Sequence, residues 1–275
     1  MISREELKRM AGKNSVEAIL ERDYVMGWIL KYIYEQDILR DILVFKGGTA
    51  LRKAYFDDYR FSVDLDFTAS GYVSEEILKK GFENIIKDLE YESGMELIDI
   101  EFIKTRDEYN EEAFEIKIPF IGPRLQRFSP QKIKVQVTRY EKIFLIPAER
   151  QLIHQYSDKR YCKAKLKVYR IEEIIGEKLR ALHQRIRPRD LYDLYYLFKT
   201  VDFNKNTVCQ CFVKKCEYKN IDFENDPLEK TEDFKNAWER SLIHLVVDLP
   251  GFNEAALCVS ENIKEIKKIC VTGIN

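Results

Sequence analysis

The sequence predicts an α/β (α+β) fold, in which a mixed β-sheet with flanking helices occupies the first half of the chain and helices fill most of the second half. Three observations support this prediction. Polar and apolar residues alternate strictly at positions 60–67, as on a half-buried strand. Further strand-like segments, punctuated by Gly-Pro and Ser-Pro, follow up to about residue 146. From about Pro147 onward, apolar residues recur mostly at helical spacing.

Local patterns predict the elements of the first half. Asn14 and Glu17 form a capping-box pattern at the start of a helix predicted over 15–35. An apolar run predicts a buried strand at 42–45, and a helix is expected at 49–56. Ser74 precedes two acids and therefore predicts the next helix start. Three or four later strands are predicted, at 97–105, 114–120, 132–139 and, as the fourth, 142–146.

The second half is predicted to be helical after one short strand at 166–169. The predicted helices lie at 170–186, 190–199, 205–217, 232–247 and 253–269. The change in pattern places a domain boundary near residue 150. We therefore expect an α/β domain over 1–150 and a mostly helical domain over 151–275.

Composition and charge exclude three classes of protein. The chain has 275 residues, and 45% of them are hydrophobic, which is too many for a disordered chain. The 46 Lys and Arg residues balance 47 Asp and Glu residues, and a net charge of −1 does not fit a polybasic nucleic-acid coat. No apolar run reaches about 18 residues, so no membrane span is expected. The charged N-terminus lacks an apolar signal core, which favours a cytoplasmic protein.

The six cysteines lie without the spacing of a disulfide framework. Cys209, Cys211 and Cys216 are close in sequence, but His244 is the only histidine that follows them, which disfavours a zinc site. We expect buried or free thiols.

The predicted strand at 61–67 is the most informative segment. Because strand side chains alternate, Asp64 and Asp66 lie on one polar face, together with Arg60 and Ser62. The two carboxylates repel each other, and a divalent cation with hard oxygen ligands relieves that repulsion. The pattern predicts an Mg²⁺ site for phosphoryl chemistry. The alternative is a solvated polar face on which Arg60 pairs with one of the acids.

A glycine pair precedes this strand. Gly47, Gly48 and Thr49 lie between a buried strand and a helix start, where glycines let backbone amides approach a phosphate. An ordinary tight turn is the alternative. The segment is not a P-loop, since Lys46 precedes the glycines and no GxxxxGK[ST] occurs. A glycine turn followed by a helix and a DxD strand is more specific than either motif alone.

A second group of charged residues lies in two predicted helices of the second half. Lys178 falls beside the apolar stripe of its helix, so its ammonium must reach the rim or meet an anion. Asp190 and Asp193 lie one helical turn apart, although Asp190 could instead cap its helix. Four nearby arginines give this region a positive field, suited to a triphosphate or an RNA backbone or simply to a solvated helix end: Arg180, Arg185, Arg187 and Arg189.

Three motifs, taken together, resemble the AbiEii/AbiGii family of toxin nucleotidyltransferases from type IV-like toxin–antitoxin and phage-abortive systems. They are KGGTAL at 46–51, RFSVDLDF at 60–67, and KLRAL with RPRDLYDLY within 178–195. The resemblance covers about residues 20–200. It implies a nucleotidyltransferase-like sheet as the catalytic domain and a helical domain that completes the active-site cleft.

The resemblance also implies roles for individual residues. Asp64 and Asp66 bind Mg²⁺, with Mn²⁺ as the alternative metal, and are catalytic together with Lys178 and Asp190. The implied nucleotide-binding residues are Lys46, Gly47, Gly48, Thr49, Arg60, Ser62, Lys178 and Asp193.

The implied reaction is transfer of a nucleotidyl group from an NTP to an RNA acceptor, with the tRNA 3′ end favoured and an antitoxin as partner. Many polymerase-like relatives carry a third carboxylate on a later strand, but the polar face of 132–139 offers Gln136 instead. Either another acid serves, or the metal and Asp66 activate the acceptor. The alternatives are nucleotidylation of a protein acceptor, a catalytically inactive nucleotide- or RNA-binding module, and a metal-dependent hydrolase.

Overall fold

The computed structural model describes residues 1–11, 16–107, 110–228 and 231–272. The predicted cap Asn14 and the predicted helix start at Ser15 lie outside these ranges. The chain forms two compact units. The first comprises residues 1–141 and 147–169, and the second comprises residues 142–146 and 170–275.

The first unit is built on a mixed sheet, which confirms the predicted fold class. Within the described ranges its strands are β1 (Leu43–Lys46), β2 (Asp64–Ala69), β3 (Glu96–Leu97), β4 (Glu101–Arg106), β5 (Glu112–Ile121), β6 (Gln131–Thr138), β7 (Ala148–Gln151) and β8 (Lys165–Val168). The strand order is β3-β5-β6-β2-β1-β8-β7, and β4 also pairs with β5. β2 runs antiparallel to β1 and parallel to β6. Because β8 pairs with β1, this unit extends to Tyr169, beyond the boundary expected at residue 150.

Helices pack against this sheet and against one another. They are α1 (Arg4–Ala11), α2 (Glu17–Glu35), α3 (Asp37–Ile42), α4 (Gly47–Ala50) and α5 (Glu75–Ser93), and α4 continues into a π-helical turn over Leu51–Tyr55. α2 is buried around most of its circumference, as expected of a helix inside the core. Ser74 caps α5, since its hydroxyl accepts a bond from the Ile77 amide at 3.2 Å, and this confirms the predicted helix start.

The second unit is helical. Its helices are α6 (Ile171–Gln184), α7 (Pro188–Thr200), α8 (Lys205–Tyr218), α9 (Thr231–Leu242) and α10 (Phe252–Thr272). α6 packs on α7 and α8, and α10 packs on the same two helices. A β-carbon on Gly176 would lie 2.9 Å from the Cys211 β-carbon, so glycine permits the close approach of α6 and α8.

Residues 142–146 form no strand, so the fourth predicted strand is wrong. A carboxylate holds this segment in the second unit instead. Glu173, which is fully buried, accepts bonds from the amides of Phe144 at 3.0 Å and Leu145 at 2.7 Å. Its other partner is the Lys215 ammonium, 3.0 Å away. The backbone donors of the segment are thus satisfied by a side chain rather than by a neighbouring strand.

The expectation of free thiols is wrong for one pair of cysteines. Cys209 on α8 and Cys270 on α10 form a disulfide, which ties the two helices together. Cys162, Cys211, Cys216 and Cys258 are free thiols. In the described part of the chain, no helix has an apolar stretch long enough to cross a bilayer.

Candidate active site

Asp64 and Asp66 lie on one face of β2, in the middle of the sheet. Both are half-buried, whereas Leu65 and Phe67 between and after them are fully buried on the opposite face. Asp66 stands opposite Lys46 on β1 and opposite Gln136 on β6, and Asp64 stands opposite Lys134 on β6. The alternation predicted for this strand therefore places both carboxylates on the polar face.

The glycine turn lies directly against the second aspartate. Gly47 has φ of +78°, a conformation that favours glycine. A β-carbon at this position would lie 2.8 Å from Asp66 Oδ2. Thr49 and Gly48 follow in α4 and are buried, and the Thr49 hydroxyl donates to the backbone carbonyl of Asp64. The glycine turn and β2 thus pack directly against each other.

A buried ion cluster fixes the helix that follows this turn. Asp23 on α2 binds Arg52 Nε at 2.6 Å and Lys53 Nζ at 2.8 Å, and it accepts a bond from the Tyr156 hydroxyl at 2.8 Å. Burial alone would raise the pKa of Asp23, but the charges of Arg52 and Lys53 outweigh it and hold the pKa below its ordinary value of 3.8. Asp23 is therefore a carboxylate at neutral pH and anchors the end of the Gly-Gly segment to the core.

Two predicted nucleotide-binding residues precede the strand rather than belonging to it. β2 begins at Asp64, so Arg60 and Ser62 lie in irregular chain, and the prediction of a strand from Phe61 is wrong at this end. Arg60 is buried and donates to the Phe61 carbonyl at 3.0 Å. Ser62 is also buried. Their side chains are thus positioned by loop packing and not by the alternation of the strand.

A polar side chain on β6 contacts one of the two carboxylates. In the amide orientation that satisfies both neighbours, Gln136 donates to Asp66 Oδ1 at 3.2 Å and accepts from Lys134 Nζ at 3.0 Å. Lys134 also binds Glu115 on β5 at 2.7 Å. Gln136, not a third acid, thus stands opposite Asp66 on β6, and it orients Asp66 without adding a negative charge.

The donor set fits a divalent metal that takes its remaining ligands from a substrate. Among the described residues, no three His, Cys, Asp or Glu side chains are grouped to hold a metal. Mg²⁺ is commonly bound by one or two carboxylates together with substrate phosphates and water. Asp64 and Asp66, half-buried on one face of a strand, meet that requirement.

One acid near this face was missed in the sequence. Glu141, just after β6, forms an ion pair with Lys46, and its side chain is 12% exposed. No strand pattern marks Glu141, because it lies beyond the end of β6. Lys134 was also not assigned a role from the sequence, although its register opposite Asp64 places it beside the carboxylates.

A separate charge cluster forms in the second unit. Lys178 on α6 binds Asp190 at 2.6 Å and Asp193 at 2.7 Å, both on α7. Arg185 Nε also binds Asp190, at 3.2 Å. Both aspartates are buried, at 3% and 0% exposure. Burial raises the pKa of Asp190, but Lys178 and Arg185 outweigh it and hold the pKa below the ordinary value.

This geometry decides whether Lys178 extends to the rim of its helix and whether Asp190 caps α7. The Lys178 side chain is 12% exposed and meets two anions, so it does not simply extend to the rim. Arg187 is the N-cap residue of α7, which begins at Pro188, so Asp190 is not the cap. The three residues assigned by sequence to nucleotide binding or catalysis are thus brought together by the packing of α6 on α7.

The mixed sheet confirms the fold class expected of a nucleotidyltransferase, and it carries two carboxylates on its central strand with a glycine turn beside them. The chain belongs to the family described as nucleotidyl transferase AbiEii toxin of type IV toxin–antitoxin systems, whose model matches residues 28–256. The resemblance seen in its three motifs is thereby confirmed. The protein is a nucleotidyltransferase toxin of this type.

Solved structures share the fold. MenT4, a nucleotidyltransferase toxin from Mycobacterium tuberculosis H37Rv, matches with a TM-score of 0.70 and 22% identity, over 97% of this chain and 90% of that chain. JHP933 from Helicobacter pylori matches with a TM-score of 0.58 and 20% identity, over 94% of this chain and 96% of that chain. No curated protein matches the chain.

Proposed function

We propose that the protein is a Mg²⁺-dependent enzyme that transfers a nucleotidyl group from an NTP to a hydroxyl of RNA, with the tRNA 3′ end as the favoured acceptor. One observation carries the proposal: two half-buried carboxylates share one face of β2, and one of them, Asp66, stands directly against a glycine with positive φ. In this reaction the acceptor hydroxyl loses its proton to solvent and its oxygen bonds to the α-phosphorus, while the bond between the α-phosphorus and the oxygen that bridges to the β-phosphorus breaks to release pyrophosphate.

In this proposal Asp64 and Asp66 would hold the metal, which would supply neutralisation of phosphate charge and polarisation of the α-phosphate. Gln136 keeps one oxygen of Asp66 oriented through its amide, since it donates to Oδ1 at 3.2 Å. Mn²⁺ presents the same preference for oxygen ligands and is the alternative metal.

The turn binds the triphosphate in this proposal. Gly47, Gly48 and Thr49 offer backbone amides, and backbone amides in such a turn attract anions. The Thr49 hydroxyl already donates to the Asp64 carbonyl, so its backbone amide is the group assigned to the nucleotide. Lys46 adds a positive charge at the end of β1, opposite Asp66.

Lys178 supplies positive charge for the triphosphate and its transition state. Asp190 and Asp193 hold the Lys178 ammonium through bonds of 2.6 and 2.7 Å. Arg60 and Ser62, which lead into β2, remain assigned to the nucleotide. We further propose that the toxin acts in the cytoplasm, where NTPs and tRNA occur, and that a cognate antitoxin controls it.

The acceptor is tested by supplying each α-labelled NTP with Mg²⁺ and either total RNA, the toxin alone or total protein. Label in an RNA of tRNA size, abolished by RNase and by Asp64→Asn, supports the proposal. Label that survives RNase and migrates with a protein contradicts the RNA acceptor and supports protein nucleotidylation. Nucleotide binding without labelling of any acceptor identifies an inactive binding module, and RNA cleavage without NTP identifies a hydrolase.

A further inference from the structure

Glu141 occupies an unusual place on the polar face of the sheet. It follows the end of β6 by three residues, and its side chain is 12% exposed. Its Oε2 atom accepts a bond from the Lys46 ammonium and lies 3.3 Å from the Thr138 hydroxyl, whose single proton is shared between Glu141 and the Phe67 carbonyl at 3.1 Å. The protein itself therefore holds this largely buried carboxylate in place, mainly through Lys46.

The Lys46 ammonium is held close to the metal-binding strand. Lys46 is the last residue of β1, is 8% exposed and stands directly opposite Asp66. A lysine side chain loses up to about 2 kcal/mol of rotamer entropy when it is ordered. The ion pair with Glu141 offsets that cost before any nucleotide arrives.

Hydroxyl groups extend the anchoring of Glu141 into the sheet. Thr138 on β6 lies 3.3 Å from the Thr68 hydroxyl on β2, and Thr68 lies 2.7 Å from the Tyr169 hydroxyl after β8. Thr68 and Thr138 are also opposite each other in the parallel register of β2 and β6. Side-chain hydroxyls thus link the surroundings of the carboxylate to β6, to β2 and to the residue after β8.

We propose that Glu141 is a positioning residue for nucleotide binding: its carboxylate holds the Lys46 ammonium beside Asp66, where the ammonium then donates to the triphosphate of the NTP. This inference rests on the proposed function and extends it to a residue outside the three sequence motifs. An ammonium has three N–H donors, so Lys46 can keep its bond to Glu141 while it donates to a phosphate oxygen.

The test is a double-mutant cycle on the binding of Mg²⁺ complexes of ATP, CTP, GTP and UTP, measured without any acceptor. Glu141→Gln is expected to raise the Kd about tenfold, which corresponds to about 1.4 kcal/mol. Lys46→Met is expected to raise it at least as much. The double variant should bind no more than about twofold more weakly than Lys46→Met alone, because Glu141 acts through Lys46.

A matched control removes a carboxylate from another buried lysine of the same unit. Glu92 binds Lys31 at 3.0 Å, and the Lys31 side chain is 7% exposed. Glu92→Gln is therefore expected to leave the Kd unchanged. If Glu141→Gln does not fold, Thr138→Val provides the second test, because it removes one bond to the carboxylate and should raise the Kd about two- to threefold.

An unchanged Kd in Glu141→Gln overturns the inference. Tighter binding by Glu141→Gln also overturns it, because the carboxylate would then compete with the triphosphate for Lys46. The inference is overturned as well if the rise in Kd of the double variant equals the product of the rises in the two single variants. If the nucleotides bind and the cycle behaves as expected but no acceptor is labelled, only the transfer reaction is contradicted. If none of the four nucleotides binds the wild-type protein, both proposals fail.

Discussion

Gly47 and Asp66 are in direct contact across the β1–β2 pair: a β-carbon on Gly47 would lie 2.8 Å from Asp66 Oδ2 and 3.4 Å from the Asp66 β-carbon. The φ of Gly47 is +78°, so two independent constraints require glycine at this position. The turn proposed to bind the triphosphate therefore also sets where the Asp66 carboxylate, which we propose as a metal ligand, can stand.

Gly47→Ala should displace the Asp66 carboxylate and strain the turn. We expect kcat/KM for nucleotidyl transfer to fall at least about 100-fold, because a displacement of about 1 Å at a reacting centre has effects of that size. The stability cost of a non-glycine residue at positive φ is about 1–2 kcal/mol. Steady-state kinetics and thermal unfolding of the same preparation measure the two effects.

Gly71→Ala is the matched control for this substitution. Gly71 is exposed, and a β-carbon there meets nothing within 4 Å. Its kinetics and unfolding temperature should equal those of the wild type. Equal losses of activity in the two alanine variants would contradict a specific role for the Gly47 contact.

Lys178→Met separates stability from activity in the second unit. The substitution leaves Asp190 and Asp193 buried without their shared ammonium, and removal of one partner of a buried ion pair costs about 3 kcal/mol. The double variant Lys178→Met/Asp193→Asn should recover part of the lost unfolding temperature without recovering nucleotidyl transfer. Recovery of both would assign Lys178 a purely structural role.

Asp23 should make the stability of the first unit depend on acid pH. Its pKa in the folded protein lies below 3.8, so its stabilising contribution is complete well above pH 3.8 and is lost as the pH falls through the lower folded value. Asp23→Asn should lower the free energy of unfolding near pH 7 by about 3 kcal/mol. The difference between variant and wild type should shrink as the pH falls below about 4.

Denaturant unfolding at a series of pH values measures this difference. Asp88→Asn on α5 is the control, since Asp88 is exposed. A difference between Asp23→Asn and wild type that stays constant down to pH 2 would contradict the ion cluster as its cause.

Glu173→Ala should destabilise the second unit strongly. Lys215, 3% exposed, loses its 3.0 Å partner, and the amides of Phe144 and Leu145 lose their acceptor. A loss of about 3 kcal/mol or more in the free energy of unfolding is expected. Glu173→Gln retains an acceptor oxygen for the amides and should lose less. Equal losses in the two variants would show that the amide contacts do not contribute.

Local pattern was sufficient to predict the centre of the sheet. The alternation at Asp64–Phe67 fixed the face of both aspartates, and the glycine pair before it marked the turn that contacts Asp66. These features depend on residues close in sequence, and a period of two leaves one choice of face. The helices of the second unit were predicted within a few residues of their ends, apart from α9, for the same reason: α6, for example, covers Ile171–Gln184.

Contacts between distant residues were not predictable in the same way. Glu141 and Lys46 form their ion pair although they are 95 positions apart in sequence, and Glu173 and Leu145, which are hydrogen-bonded, are 28 positions apart. Neither pairing follows a period, because each depends on where β6 ends and where the chain then runs. The apolar residues in 142–146 suggested a strand, yet the backbone of that segment found its acceptor in a buried side chain.

The central claim is that Asp64 and Asp66 hold the metal that nucleotidyl transfer requires. The most direct measurement is the initial rate of label transfer from the preferred NTP to RNA, titrated with Mg²⁺, for the wild type, Asp66→Asn and Asp88→Asn. We predict a rate that depends on Mg²⁺ and disappears in EDTA, a fall of at least about 100-fold in Asp66→Asn, and wild-type behaviour in Asp88→Asn. Full activity in EDTA, or wild-type Mg²⁺ dependence and rate in Asp66→Asn, would contradict the account.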